Sequence, residues 1–225
     1  MDLDAVRSKV FAELNLLGFR PAKSLPPPTG SSRLRPIEEV ASRLMALDAL
    51  FTWVCFSEEE APSKRVLGYI ERNRLLEWLS DKETDIVSLD RPVANELHAD
   101  TIGWRLENMW ALSWVLGFDP EPSLAASQIE EDISESMIFD FLPGLDATVA
   151  QMVAKSTPRS SDEVVEMEYL FYCAHNAVRS AQMGDATVPP GFHPIVHGGA
   201  IHERRHSLTW CVTENVTWDD TDLST

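Results

Sequence analysis

Apolar residues spaced three and four positions apart are the feature of this sequence that most restricts its fold. Between Leu3 and Leu17 they recur at helical spacing, and Gly18 follows where a C-terminal helix cap is expected. A second stripe of the same kind begins at Val40 and continues to Val54. No run of four or more residues shows the clean alternation of a strand bounded by turns. The pattern therefore predicts an all-α fold.

Capping and breaking residues set the expected number of helices. Ser80 is followed three residues later by Glu83, which matches a capping box. Ser160 is followed in the same way by Glu163. Pro36 suits the first turn of a helix. We predict a single-domain bundle of about six to eight helices. Besides a short helix after Ser80, the helices of the bundle span 36–56, 64–79, 92–117, two helices within 123–155, 160–183 and 200–213.

The predicted domain boundary lies at residue 34. Residues 1–34 hold the first helix and a proline-rich linker, which contains prolines 26–28 together with Gly30, Ser31 and Ser32. Residues 35–225 form the all-α domain. We expect the first helix to be an N-terminal arm. The sequence leaves open whether this arm docks on its own domain or on a neighbour.

The charge balance argues against several classes of partner. The chain has 225 residues, with 19 Lys and Arg against 36 Asp and Glu, so its formal net charge is −17. Such a charge opposes non-specific binding to nucleic acids and anionic membranes, which need positive charge. No apolar run approaches the ~20 residues of a membrane-spanning helix. We expect neither a nucleic-acid partner nor a membrane partner.

The cysteines and the first residues of the chain indicate the cellular compartment of the protein. The three cysteines, Cys55, Cys173 and Cys211, are odd in number, and no two form a C-x-x-C pair. We expect them to be reduced and buried as small hydrophobes. The first residues lack the basic and apolar regions of a secretory signal peptide. We therefore expect a cytoplasmic protein.

Six charged or titratable residues lie in helices that are otherwise largely apolar. Such helices are typical of buried positions, where a charge needs a partner. One interpretation is a structural network of ion pairs between helices. The other is a polar pocket in which arginines clamp the carboxylate or phosphate of a small ligand. The candidate ligand-binding residues are Arg105, Glu107, His175, Arg179, Glu203 and Arg204.

The last helix also contains an H-E-x-x-H match. His202 and His206 are four residues apart, so both can bind one zinc ion, and Glu203 can activate a zinc-bound water. A catalytic zinc needs a third protein ligand, and only a few carboxylates follow the motif. We predict no metal and no cofactor. A zinc site on His202 and His206 is the alternative.

Four segments in one order carry a family resemblance. They are residues 35–43, 103–114, 175–179 and 203–210, and they are followed by Trp218-Asp219-Asp220. Together they resemble a bacterial family known as domain of unknown function 4272. The resemblance covers residues 33–222 and implies no activity, since none is assigned to that family. It also implies that His202 is a local feature, because the family pattern has no His before this Glu-Arg pair.

We conclude that the chain is most consistent with a non-enzymatic protein that binds another protein. Its negative charge suits a basic partner, because opposite fields speed encounter. An immunity-like or adaptor-like role would fit this size and charge. The alternatives are a small-ligand binder or enzyme on the charged residues, and a zinc hydrolase on the H-E-x-x-H match. The sequence leaves homo-oligomerisation open.

Overall fold

A computed structural model describes residues 2–28, 33–125 and 128–225 of the chain. Over these residues it contains ten α-helices and no strand, so the all-α prediction is confirmed. The linker residues Gly30, Ser31 and Ser32 lie outside the described residues. The helices are α1 (Leu3–Leu17), α2 (Ile37–Cys55), α3 (Ser63–Asn73), α4 (Asp81–Val87), α5 (Arg91–Ile102), α6 (Trp104–Val115), α7 (Glu131–Ser136), α8 (Val149–Lys155), α9 (Ser161–Gln182) and α10 (Val196–Val212). A 3₁₀ helix spans Leu75–Trp78 and a π-helical turn spans Met137–Phe141.

Contacts along the chain divide it into two units. Unit 1 consists of Met1–Arg35, Pro122–Gln128 and Arg159–Thr225. Unit 2 consists of Pro36–Glu121 and Ile129–Pro158. Each unit therefore combines segments that are far apart in the sequence.

Unit 1 is built on α9, which packs against both α10 and α1. The approach of α9 to α10 is close at Gly198, where an added Cβ would lie 2.6 Å from a methyl carbon of Val178. The segment that follows α1 also lies on α9. The Tyr169 hydroxyl donates to the carbonyl of Pro26 at 2.9 Å, and the Asn176 side chain accepts from the backbone N–H of Ala22 at 2.9 Å. The N-terminal helix thus docks within its own chain, a point that the sequence left open.

Unit 2 is organised around α2. Of its 19 residues, 14 are buried, so the helix has almost no free face. It contacts α3, α4, α5, α6, α8 and the 3₁₀ helix. A helix that is buried nearly all round is expected at the centre of a helical fold. The C-terminal end of α2 nevertheless reaches solvent, because its last residue, Cys55, is exposed.

Capping residues in the sequence predicted most of the helix ends correctly. Gly18 adopts the left-handed conformation that caps α1, with φ of 88°. Both predicted capping boxes are present, at the starts of α4 and α9. Pro36 is the N-cap residue of α2 and so precedes its first turn.

Two helix predictions need correction. The predicted helix over 92–117 is interrupted at Gly103, which ends α5 and precedes α6. Glycine is a poor helix former, so the break falls at the weakest position of the segment. The last helix begins at Val196 rather than at Ala200, directly after the turn that contains Pro194. The two short helices predicted within 123–155 are present as α7 and α8, so the break at Gly103 is what raises the number of bundle helices, α2 to α10, to nine among the described residues.

Candidate functional site

The six predicted site residues divide between the two units. Arg105 and Glu107 lie on α6 in unit 2. The other four, His175, Arg179, Glu203 and Arg204, lie on α9 and α10 in unit 1. Five of the six contact groups outside the predicted set: Arg105, Glu107, His175, Arg179 and Arg204.

In unit 2, Arg105 belongs to an ion-pair network. Its Nε lies 3.1 Å from a carboxylate oxygen of Glu83, and an amino group donates to the Asn108 side chain at 3.3 Å. Glu83 also pairs with Arg43, whose amino group lies 2.6 Å from the other oxygen. Glu107 is fully buried and accepts a hydrogen bond from the backbone N–H of Ile129 at 2.8 Å. These contacts match the interpretation of a structural network between helices.

In unit 1, His175 contacts Arg205, which is not one of the six predicted site residues. An amino group of Arg205 lies 2.6 Å from His175 Nδ1. Burial, together with the positive charge of Arg205, lowers the pKa of His175 to about 3. Arg179, by contrast, lies on the surface and donates to the Gln182 side chain at 2.8 Å. Arg204 is buried and donates to the backbone carbonyl of Ser123 at 2.6 Å.

The H-E-x-x-H histidines lie beside further aromatic groups. The rings of His202 and His206 are 6.4 Å apart, and the rings of His175 and His202 are 5.3 Å apart. His206 Nε2 is 2.9 Å from the backbone carbonyl of Trp218, and the two rings are 4.2 Å apart. Among the residues that the structure describes, no three His, Cys, Asp or Glu side chains form a group that could hold a metal ion. A zinc site on His202 and His206 remains a prediction without a third ligand from that part of the chain.

Unit 2 contains a cavity that sequence reasoning missed. We call it the α2-end cavity, because it opens where α2 ends and where α3 and α5 begin. Its volume is about 900 Å³. Its wall is largely apolar and includes Cys55, Phe56, Leu67 and Pro92. A volume of this size is typical of ligand-binding sites in proteins.

Three carboxylates, Glu58, Glu60 and Asp90, line the α2-end cavity, and we call them the rim. Hydrogen bonds from Ser63 to Glu58 lower the pKa of that carboxyl group. Hydrogen bonds from Ser57 lower the pKa of Glu60 in the same way. Both groups are therefore held in place as anions at neutral pH.

Arg91 also lines the α2-end cavity, but its charge is directed into the protein. Its guanidinium group donates to the backbone carbonyls of Thr52, Trp53 and Phe56 at the C-terminal end of α2. It donates to the carbonyl of Ala61 as well, and the residue is buried. Cationic groups stabilise the C-terminal ends of helices, so Arg91 stabilises the end of α2. The exposed charges of the cavity are consequently those of the rim.

The prediction that all three cysteines are buried is wrong for Cys55. Cys173 and Cys211 are buried, but Cys55 is exposed. It lies at the last position of α2, where the helix no longer has a neighbour on every side. The apolar character of α2 suggested burial for every residue, and a hydrophobic stripe carries no signal for where its covering helices stop. The loop at 57–63, with its three consecutive glutamates, was the one available hint of the cavity edge.

Among the helices of the described residues, none is both long and apolar enough to cross a membrane.

Comparisons with known proteins identify the family of this chain. No curated protein and no solved structure matches the chain. One family model matches residues 7–221, nearly the whole chain, and this match includes most of the N-terminal helix, which the resemblance over 33–222 left outside. The chain therefore belongs to the family described as "Domain of unknown function (DUF4272)".

Proposed function

We propose that this chain is a protein-binding module that holds a basic segment of a partner protein in the α2-end cavity. The observation that supports the proposal is the combination of an open cavity of about 900 Å³, an apolar wall and an anionic rim. Apolar surface that stays exposed in a folded protein is typical of binding sites. Carboxylates at its edge select a partner of opposite charge.

The apolar surface extends beyond the wall of the cavity. The ring of Phe56, which lines the cavity, lies 6.2 Å from the ring of Phe139. Phe139 is 65% exposed, a large fraction for an aromatic side chain without a polar group. Leu67 on α3 is also exposed. Together these residues offer a surface on which an apolar side chain of a partner can lose its contact with water.

The charge of the rim favours a lysine or arginine next to that apolar side chain. Glu58 has a side chain that is 67% exposed, so it can contact a cation although it already lies 3.2 Å from Arg91. Asp90 is exposed and precedes α5 without a capping hydrogen bond from its side chain. The formal net charge of −17 adds a long-range attraction for basic partners. The expected occupant is therefore a segment with an apolar anchor and flanking basic residues.

The proposal is tested on the full-length chain with synthetic peptides of about twelve residues, a length matched to short peptide-recognition modes. One peptide carries a central Leu-Trp pair flanked by lysines. A second has glutamates in place of the lysines, and a third has serines in place of Leu-Trp. We expect binding of the first peptide only, measured by titration calorimetry, with affinity that falls as salt is added.

A pair of matched variants locates the binding. Glu60→Gln with Asp90→Asn removes two rim charges, whereas Glu59→Gln with Glu13→Gln removes two carboxylates outside the cavity. We expect about tenfold weaker binding for the rim pair and little change for the control pair. Maleimide modification of the exposed Cys55 should also abolish binding. Equal affinity of both double variants, or equal binding of lysine and glutamate peptides, would overturn the proposal.

A further inference from the structure

Unit 1 contains a buried guanidinium group without an ion pair. Arg205 on α10 is only 2% exposed. Its Nε is buried and has no hydrogen-bond acceptor, and none of the described carboxylates lies within 4.0 Å of its guanidinium group. Glu168 and Asp222 attract Arg205 from longer distances. The Glu168 carboxylate accepts a hydrogen bond from Thr209 at 2.9 Å instead, and that of Asp222 accepts from the backbone N–H of Ser224 at 2.8 Å. A buried arginine of this kind is unusual, because burial of a charge is costly unless a counter-ion is in contact.

The acceptors that Arg205 does have are neutral. One amino group donates to the carbonyl of Leu223 at 2.8 Å, and the other donates to the carbonyl of Ser224 at 3.1 Å. Two oxygens presented side by side to a guanidinium group imitate a carboxylate or a phosphate, which are the preferred partners of arginine. The two oxygens belong to consecutive residues, so one short segment occupies the place that an oxyanion would take.

His175 is a further neutral acceptor for Arg205. The guanidinium group can only donate, so His175 Nδ1 must accept the hydrogen bond of 2.6 Å between them. The neutral imidazole then carries its hydrogen on Nε2. Tyr172 completes this part of unit 1, with its ring 4.9 Å below the guanidinium carbon of Arg205. The arrangement offers the N–H donors of the guanidinium group above an aromatic face.

The segment over Arg205 is attached to α10 by two backbone carbonyls and by the attraction between Asp222 and Arg205. We call residues 219–224 the strap. They follow Trp218, which is buried and whose ring lies 5.5 Å from that of Trp210. Ser224 itself is exposed, and its backbone N–H bonds only within the strap, to Asp222 at 2.8 Å. A segment held by a few carbonyl groups at its end can leave without disturbing the helices beneath it.

From these contacts we propose that Arg205, held in place by His175, forms a binding site for an oxyanion, either a carboxylate or a phosphate of a small molecule, and that the strap closes this site. The ligand replaces the Leu223 and Ser224 carbonyls and gives Arg205 the contact counter-ion that it lacks. The site belongs to unit 1 and does not rest on the proposed function of the α2-end cavity. No covalent step is involved.

The test uses the full-length chain and three probes at constant ionic strength: inorganic phosphate, acetate and chloride. Binding is followed by the NMR signals of the histidine rings. Trp218→Ala removes the side chain that anchors the start of the strap, so we expect at least about tenfold tighter binding of phosphate or acetate than in the wild type. Adding Arg205→Gln to this variant should abolish the gain. Which of the two oxyanions binds identifies the class of ligand.

A control variant and a second way to loosen the strap accompany this test. Arg179→Gln removes an exposed arginine from the same unit and should leave binding unchanged. If Trp218→Ala fails to fold, insertion of two glycines between Thr221 and Asp222 loosens the strap without removing a buried side chain. Hydrogen exchange of residues 221–224 should become faster when the ligand binds. Binding that is equally strong with and without Arg205, or equally weak in the wild type and in every folded loosened variant, would overturn the proposal.

Discussion

Arg43 and Glu83 form a two-pronged ion pair in unit 2 that is shielded from water on all sides. The two amino groups of Arg43 lie 2.6 and 3.0 Å from the two carboxylate oxygens of Glu83, and each side chain is 1% exposed. Glu83 also accepts from the backbone N–H of Ser80 at 2.9 Å and so closes the capping box of α4. Burial raises the pKa of Glu83, but the charges and hydrogen bonds of Arg43 and the charge of Arg105 outweigh it and hold the pKa below its usual value. One carboxylate thus joins α2, α4 and α6.

Removal of this carboxylate should destabilise unit 2 strongly. Glu83→Ala leaves the guanidinium group of Arg43 buried without its main counter-ion, and we expect a loss of about 3–5 kcal/mol in the free energy of unfolding. The matched control is Glu77→Ala, which breaks an exposed pair with Arg74 and should cost less than about 1 kcal/mol. Urea unfolding at pH 7 measures both. Similar losses for the two variants would show that the buried ion pair contributes no more to the free energy of unfolding than the exposed pair.

Asp48 should make the protein less stable as the pH rises. Desolvation raises its pKa from 3.8 to about 7, although the Tyr69 hydroxyl donates to its carboxylate at 3.3 Å. The folded state therefore holds a proton that the unfolded state has lost between about pH 4 and pH 7, and the free energy of unfolding falls across this range. Asp48→Asn cannot ionise. At pH 8 it should exceed the wild type in stability by about 2–4 kcal/mol, and at pH 4 this advantage should disappear. A constant difference between pH 4 and pH 8 would contradict the assignment.

His175 should have the opposite effect. Its folded pKa of about 3 lies below the ordinary value of 6.5, so between these values only the unfolded state binds the proton. The stability that neutral His175 contributes is complete above pH 6.5 and is lost as the pH falls towards 3. In His175→Gln the amide oxygen can still accept from Arg205, but no proton is taken up. Between pH 6.5 and pH 5 this variant should lose about 2 kcal/mol less than the wild type. An unchanged pH profile of unfolding would rule out this role.

Two glycines with similar backbone conformation should differ in their tolerance of alanine. Gly117 has φ of 104°, and an added Cβ would lie 2.5 Å from the backbone oxygen of Thr157. Gly144 has φ of 77°, and nothing lies within 4 Å of the corresponding position. Gly144→Ala should therefore cost only the strain of the left-handed conformation, about 1 kcal/mol. Gly117→Ala should cost at least about 2 kcal/mol more, because backbone must also move. Thermal unfolding of the two variants gives the comparison.

Short-range chemistry explains what could be predicted about the fold. The capping boxes that begin at Ser80 and Ser160 were found because side chain and backbone partners lie three residues apart. The break at Gly103 was missed, since a glycine within a helical pattern can either continue the helix or end it. The charge of Arg105 was correctly expected to need a partner. Its partner Glu83 was recognised only as a helix cap, because nothing near either residue in the sequence indicates that they meet.

The sequence by itself determined the all-α fold, the starts of several helices and the need for partners around charged residues in apolar helices. These properties depend on periodicity and on contacts within one or two helical turns. Only the tertiary structure decided which residues meet. Arg43 and Glu83 are 40 positions apart, and His175 and Arg205 are 30 positions apart. The exposure of Cys55 was decided in the same way, because the burial of a residue depends on which helices cover it and not on its own hydrophobicity.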